Sequence, residues 1–476
     1  MPPTSPLSAT GTFSLLLAVL CAVLASAPRA EDALALDYPP RVKEVIDRRC
    51  VVCHGCYDAP CQLKMDAYAG LVRGANADKV YDGTRLIPAN LTRLYEDALS
   101  ESGWRDKGFF DVLGAPDPQS NLLLRMLALK EEHPLPKGGV LPDSFDLSLN
   151  RDQSCPTPES FAEYAGERPL QGMPYALPGL DEDRLAVLRN WLENGARGVA
   201  LTAPGEAEQR AVADWEAFLN GASKRERLMS RYIYEHLFIG TLYFDDLPRR
   251  SARYALVRSR TPPGQPIDLI ATRRPYDDPG ADTFYYRLQR RELTALAKRH
   301  MPYVLNEARM ERWQELFLEP EYSVDTLPGY DSEASANPFI TFQQLPVGAR
   351  YRFMLDEAQF TIMAYIKGPV CRGQVALNVI DDHFWVAFAD PSFTDRAGLA
   401  AFLAEHARDM RLPQAKGSLI VTLLQWQGYA RSHRRYLEAE AERAAEVIEG
   451  RQLQLDLDLI WDGGAGNNDN AALTVF

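Results

Sequence analysis

Histidine and cysteine are both scarce, at seven each in 476 residues, so any clustering of them carries information. The chain has no P-loop, no G-x-S-x-G elbow and no H-E-x-x-H helix. These absences exclude the usual nucleotide-hydrolysing, serine-hydrolase and zinc-protease designs. Positive charge is in deficit: 52 Lys and Arg face 65 Asp and Glu, for a net charge of −13. A nucleic-acid partner needs a basic footprint, and none is present. The same deficit disfavours electrostatic docking of the whole chain on anionic lipid, so any transient contact with a membrane surface is local and apolar. Beyond residue 27 no apolar run is long enough to span a bilayer. With 46% hydrophobic and 25% charged residues the chain is of globular composition, and its length leaves room for two or more domains.

What the chain does have is Cys50-Val51-Val52-Cys53-His54. Two thiols three positions apart can bond the two vinyl groups of one porphyrin, and the adjoining imidazole then falls beneath the iron. The motif points to one covalent haem c per chain, with Cys50, Cys53 and His54 as cofactor-binding residues and His54 on the metal. Two other readings use the same residues. One is a redox pair with an incidental histidine, the other a zinc site that also recruits Cys56 and Cys61. A second C-x-x-C-H is missing, which disfavours a dihaem peroxidase.

Ser14–Ala27 is an uncharged apolar run ending in Ala25-Ser26-Ala27, the small residues of a cleavage site. Residues 1–27 read as a cleaved signal peptide and place the mature chain in the periplasm, although no Lys or Arg precedes the run; a retained N-terminal anchor is the other reading. Leu20 before Cys21 argues against a lipoprotein anchor. In an oxidising compartment the remaining cysteines should pair. The expected pairs are Cys56–Cys61, closing a short loop beside the haem, and Cys155–Cys371, linking the two halves.

The expected fold class is multidomain: an all-α cytochrome c-like haem domain over residues 36–200, then an α+β domain with antiparallel sheet over 204–476. A helix after Pro39-Pro40, with Val42, Val45 and Ile46 on one face, delivers the motif. Another is expected after Asp181, its N-cap, with Leu185, Leu188, Trp191 and Leu192 at helical spacing and Gly195 as its stop. A Met-Pro before such a closing helix resembles the distal-ligand loop of class I cytochromes c. On that resemblance Met173 is the candidate sixth iron ligand. A core methionine is the alternative, and His133 is a second distal candidate. Residues 82–111 and 134–167 read as loops over the haem edge.

In the second half, helices are expected over 206–219, 224–238, 394–411 and 419–449. Strands are expected over 253–259, 268–272 and 284–288, with a strand-like pair at 350–367 and 374–388. Tyr232, Tyr234, Phe238, Tyr243 and Phe244 form either core or the wall of an apolar groove. Asp381-Asp382-His383 reads as a turn, and Trp461–Asn470 as a loop without calcium-loop spacing. The apolar ending Ala471–Phe476 is either an edge strand or the cut end of a longer protein.

Taken together, the export segment, CVVCHGCYDAPCQLK, GMPYALPGL and the ending WDGGAGNNDNAALTVF resemble the bacterial fatty acid cis/trans isomerases. The resemblance covers nearly the whole chain, and family members are longer. It implies a periplasmic haem c enzyme that isomerises double bonds of monounsaturated fatty acids, stiffening the membrane under stress. Its partners would be unsaturated fatty acids or phospholipid acyl chains, with no nucleotide. The resemblance carries Cys50, Cys53 and His54 over as haem ligands, with His54 catalytic, and Met173 beside them. An electron-transfer cytochrome with a docking domain and a haem-based ligand sensor are the alternatives.

Overall fold

A prolyl pair opens the first helix. Pro40 occupies the first helical position, where its missing N–H costs nothing. Helix α1 (Pro40–Arg49) then buries Val42, Val45 and Ile46, the face set by their spacing. Helix α2 (Val51–His54) follows after the single residue Cys50. This computed structural model describes residues 33–475 apart from 81, 83–87, 115–119, 137, 142–144, 146–152, 248–251, 295–300, 333, 359, 362–384, 387, 393–397, 412–421, 451–458 and 462–473. The signal segment, Cys371, Asp381–His383 and nearly all of the 461–470 loop lie outside the described residues.

Short helices complete the first half: α3 (Tyr68–Arg73), α4 (Glu101–Asp106), α5 (Leu122–Glu132), α6 (Phe161–Glu167) and α7 (Glu182–Glu193). The Asp181 carboxylate accepts the Arg184 N–H as the expected cap of α7. Gly195, at φ +84°, takes the left-handed turn that ends that helix. Ile46, Leu71, Leu127 and Leu188 share one core. Strands β1 (Leu36–Asp37) and β2 (Val199–Ala200) pair antiparallel and bring the two ends of this stretch together. The stretches expected as loops contain α4 and α6. Trp104 and Phe161 draw those helices into the apolar interior, which local Gly and Pro content does not reveal.

The second core is built on a four-stranded sheet of order β5-β4-β3-β6, from β3 (Thr241–Tyr243), β4 (Arg253–Ser259), β5 (Tyr285–Arg291) and β6 (Pro302–Val304). Strands β4 and β5 pair antiparallel from Arg253↔Arg291 to Ser259↔Tyr285, whereas β3 and β6 run parallel, so the sheet is mixed. Residues 268–272 make only a bridge, Ser259↔Leu269. Helices α8 (Glu206–Leu219), α9 (Lys224–Leu237), α10 (Glu307–Phe317), α11 (Pro338–Thr341) and α12 (Val347–Leu355) follow the chain around it. Helix α12 corrects the strand expected from residue 350: Pro346 starts it, and Ala349 and Phe353, four apart, bury one helical face. Leu228, Ile233, Trp313, Phe317 and Phe353 lie in this core. Glu216 of α8 reaches into the sheet, pairing with Arg287 at 2.8 Å and accepting the Leu288 N–H at 2.9 Å. Helices α13 (Leu399–His406) and α14 (Leu423–Glu449) and the antiparallel pair β7 (Trp385–Val386) with β8 (Thr474–Val475) complete the described elements. The architecture is α+β, with small mixed and antiparallel sheets.

His236 of α9 gives this core a pH dependence. Its ring packs on Tyr232, 4.0 Å between centroids, and against Phe342 and Phe353. Loss of water pulls its imidazole down to about 4, against the hydrogen bond to the Tyr232 carbonyl and with a further push from Arg350. Its folded pKa lies below its unfolded value, so the unfolded chain binds more protons between the two. Stability from this residue is complete above pH ~6.5 and is lost as pH falls towards 4. His236→Gln should flatten that part of the profile in urea unfolding between pH 7 and 4.5; an unchanged slope would remove His236 as its source.

The end of β5 clamps the two halves. Arg291 pairs with Glu96 at 3.0 Å, and Tyr95 donates to the Glu292 carbonyl at 3.0 Å. Thr294 donates its N–H to the Asp66 carbonyl at 2.7 Å, and its hydroxyl accepts from Lys43 at 2.9 Å.

Candidate functional site

Helix α2 sets the motif in one turn. The Cys53 and His54 N–H groups both donate to the Cys50 carbonyl, at 3.1 and 2.9 Å. Residues three apart on a helix share a face, so Cys50 and Cys53 lie on one side of the turn. Cys50 is half-buried and Cys53 exposed, and both are free thiols. Burial pushes the Cys50 thiol up to about 12, so it stays protonated near neutrality. Val52 between them is an exposed apolar surface, at 49%.

His54 is oriented by the loop that follows it. Its Nδ1 lies 2.9 Å from the Leu63 carbonyl oxygen. A carbonyl only accepts, so Nδ1 donates and the ring lone pair falls on Nε2, the tautomer that binds a metal. The His54 carbonyl in turn accepts the Met65 N–H at 2.7 Å. Cys61 and Gln62 both hold positive φ, 53° and 48°, which is uncommon outside glycine. Surrounding bonds enforce them. Cys61 is disulfide-bonded to Cys155, its N–H donates to Gln153 Oε1 at 2.9 Å, and Arg73 donates to the Gln62 carbonyl. Lys64 donates to the Gly55 carbonyl at 3.2 Å and pairs with buried Asp66.

The disulfide corrects both expected cysteine pairs. Gln153 Oε1 accepts the Cys61 N–H, and Cys155, two residues on, stands 5.6 Å from Cys61 between Cα atoms at a sequence separation of 94. Cys155 is thereby unavailable to Cys371, and Cys56, disulfide-bonded itself, does not pair with Cys61. Among the described residues only the two motif cysteines remain reduced.

Met173 sits on the apolar core that Cys50 also borders, donating its N–H to the Met126 carbonyl at 3.0 Å. Gly172 before it lies so close to α5 that a Cβ would fall 2.4 Å from the Lys130 nitrogen. His133 is the exposed C-cap of α5. The structure thus unites Cys50, Cys53 and His54 in one turn and seats Met173 on a shared core.

One feature escaped sequence reasoning. A cavity of about 270 Å³ opens beside the turn after His54, with Gly55 and Tyr57 on one wall and Phe238, Leu256 and Arg258 on another. Its walls come from segments some 200 residues apart, so no local pattern announces it. The aromatic stretch gave a partial signal: Tyr232, Tyr234 and Phe244 are buried and Phe238 is 38% exposed, and of these Tyr234 and Phe238 line the cavity.

The donor set fits a haem. Two reduced thiols occupy one turn, and the histidine after them is held in the metal-binding tautomer. Among the described residues no group of three or more His, Cys, Asp or Glu is placed to hold a metal ion. Two of the thiols that a zinc site would recruit, Cys56 and Cys61, are oxidised.

Residues 89–476 match the family model described as fatty acid cis/trans isomerase (CTI). The matched stretch begins after the Cys50–His54 motif. No curated protein and no solved structure matches the chain.

Proposed function

The chain belongs to the fatty acid cis/trans isomerase family, and from that premise we propose that it turns cis double bonds of monounsaturated fatty acids to trans at a covalent haem c. The observation that carries the haem is the state of the cysteines. Among the described residues Cys50 and Cys53 are the free thiols, on one turn with an oriented His54, while Cys56, Cys61 and Cys155 are oxidised.

A C=C bond does not rotate at ambient temperature, because rotation breaks its π bond. The haem, when bound, supplies an electrophilic iron able to draw π density from the alkene and so lower the bond order. The chain's residues do the rest. Cys50 and Cys53 would hold the porphyrin to α2, and His54 would ligate its iron. The Leu63 carbonyl keeps that imidazole from turning and raises its basicity. Met173 would be at most a weak or displaced ligand in the active form, since a firmly bound thioether would keep the alkene from the iron. The reaction leaves no net oxidation, so neither nucleotide nor reductant is consumed.

Supply constrains where the substrate comes from. Moving an acyl chain from water into an apolar site gains about 0.8 kcal/mol per CH₂. Moving it from a bilayer gains almost nothing, since lipid tails are already apolar. The enzyme therefore takes free fatty acid, or works at the membrane surface on a chain that reaches it only as far as the double bond. We assign the reaction to the periplasm, where a c-type haem is attached.

The haem is tested by mass and spectrum. The denatured exported protein should retain one covalently bound haem, and Cys50→Ala/Cys53→Ala should lose it. A protein that matures without covalent haem would overturn the assignment.

A further inference from the structure

We propose that the cavity beside the motif binds the anionic head of the substrate, and that Arg258 is the residue that binds it. This rests on the isomerase reading and places the part of the substrate that reading leaves unplaced.

Position supports it. One wall is the turn that directly follows His54, and the facing wall is β4. At about 270 Å³ the cavity is near the lower end of small-molecule pockets, ~300–1,000 Å³, which suits a head group and the first carbons of a chain rather than a whole lipid. Its lining is amphipathic in the same sense: Leu94, Phe238 and Leu256 offer apolar surface, and Arg258 is one of several cations there, with Glu96 as the carboxylate among them.

Arg258 is the unusual group. It is fully buried, at 0% exposure. Its two terminal nitrogens donate to neutral oxygens, the Asp277 carbonyl at 2.9 Å and Thr272 Oγ1 at 2.6 Å. Its Nε is buried without a hydrogen-bond partner. Three other enclosed arginines carry carboxylates: Arg287 has Glu216 at 2.8 Å, Arg291 has Glu96 at 3.0 Å and Arg231 has Glu235 at 2.7 Å. Arg73 is also buried with carbonyl partners and an unpartnered Nε, but it does not line the cavity. Glu235, whose charge Arg258 also feels, is thus already engaged. The rings of Tyr234, Phe284 and Tyr330, 5.2–5.9 Å away, offset part of the cost of burying the cation. A buried charge without an opposite charge is expensive. In the wall of a cavity that cost is recovered when an anion arrives. An acyl lipid brings a carboxylate when free and a phosphate when esterified; both share the chemistry of an anionic head on an apolar chain.

The test compares ligands on the wild-type holoenzyme. cis-9-Hexadecenoic acid should bind ~10- to 100-fold more tightly than its methyl ester, the scale of a hydrogen bond to a charged group. Arg258→Gln should close that gap, and Arg258→Lys should restore part of it. Equal affinity of acid and ester for the wild type overturns the proposal without any variant. Competition by dioleoyl phosphatidylglycerol vesicles, and not by phosphatidylcholine vesicles, assigns the site to the phosphate head; competition by neither assigns it to the free acid. A diazirine-bearing fatty acid should crosslink to peptides of the cavity wall. Crosslinking elsewhere, with trans product still forming, overturns the site and leaves the isomerase standing. Crosslinking at the wall, with no trans product, retains the site and removes the isomerase.

Discussion

Replacing His54 by alanine should lower trans-product formation by about 10³-fold or more per bound haem. Losing one preorganised electrostatic group already costs ~10²–10³-fold, and this change removes the proposed protein ligand of the iron. The expectation follows from the geometry of one turn and one loop. Cys50 and Cys53 lie apart from the histidine in role, so the variant that still carries haem loses the ligand and keeps the thioethers. The Leu63 carbonyl, 2.9 Å from Nδ1, loses its donor at the same time. Product should be read per mole of haem retained, by gas chromatography beside the absorption spectrum, so that incomplete haem attachment does not pass for lost chemistry. Undiminished turnover per haem would move the reaction away from His54.

Removing the Cys61–Cys155 disulfide with Cys61→Ala/Cys155→Ala should cost about 2–5 kcal/mol of stability. The bond closes a loop across 94 residues, long enough for cross-linking to restrict the unfolded chain strongly. It also stands two residues from Leu63, in the stretch where Cys61 and Gln62 hold positive φ. Without the bond that stretch has less to keep it in its strained form, so the hydrogen bond to His54 should loosen together with global stability. Urea unfolding measures the first effect, and a shift of the haem spectrum or midpoint potential the second. A loss under ~0.5 kcal/mol with an unchanged spectrum would make the disulfide incidental to the site.

Much of this was legible because it is local. Helix α8 and strand β4 fall where their patterns end, and the Asp181 cap and Gly195 stop of α7 are one-residue signals that tertiary contacts reinforce. The motif is equally local: five residues name the candidate ligands, and a single turn holds them. What failed depends on distance along the chain. The partner of Cys61 cannot be deduced from spacing, since several pairings are compatible with the same cysteines. Helix α12 was misread because Tyr351 and Phe353 suit strands, while the contact that decides the matter, against the Trp313–Phe317 core, is tertiary. The parallel pairing of β3 with β6 joins Thr241 to Pro302 across the intervening residues 244–301 and has no local signature. Arg258 is the clearest case. In Arg253–Ser259 it reads as one more strand residue, and only its burial among neutral partners beside a cavity sets it apart.

The central claim is that isomerisation requires a haem held by Cys50 and Cys53, as proposed above. The most direct measurement incubates a cis-monounsaturated fatty acid with the haem-loaded protein and, in parallel, with its Cys50→Ala/Cys53→Ala variant, and follows the trans isomer by gas chromatography. Trans product from the first and none from the second is the predicted result. Equal trans product from both would show that the double bond turns without that haem, and would contradict the account.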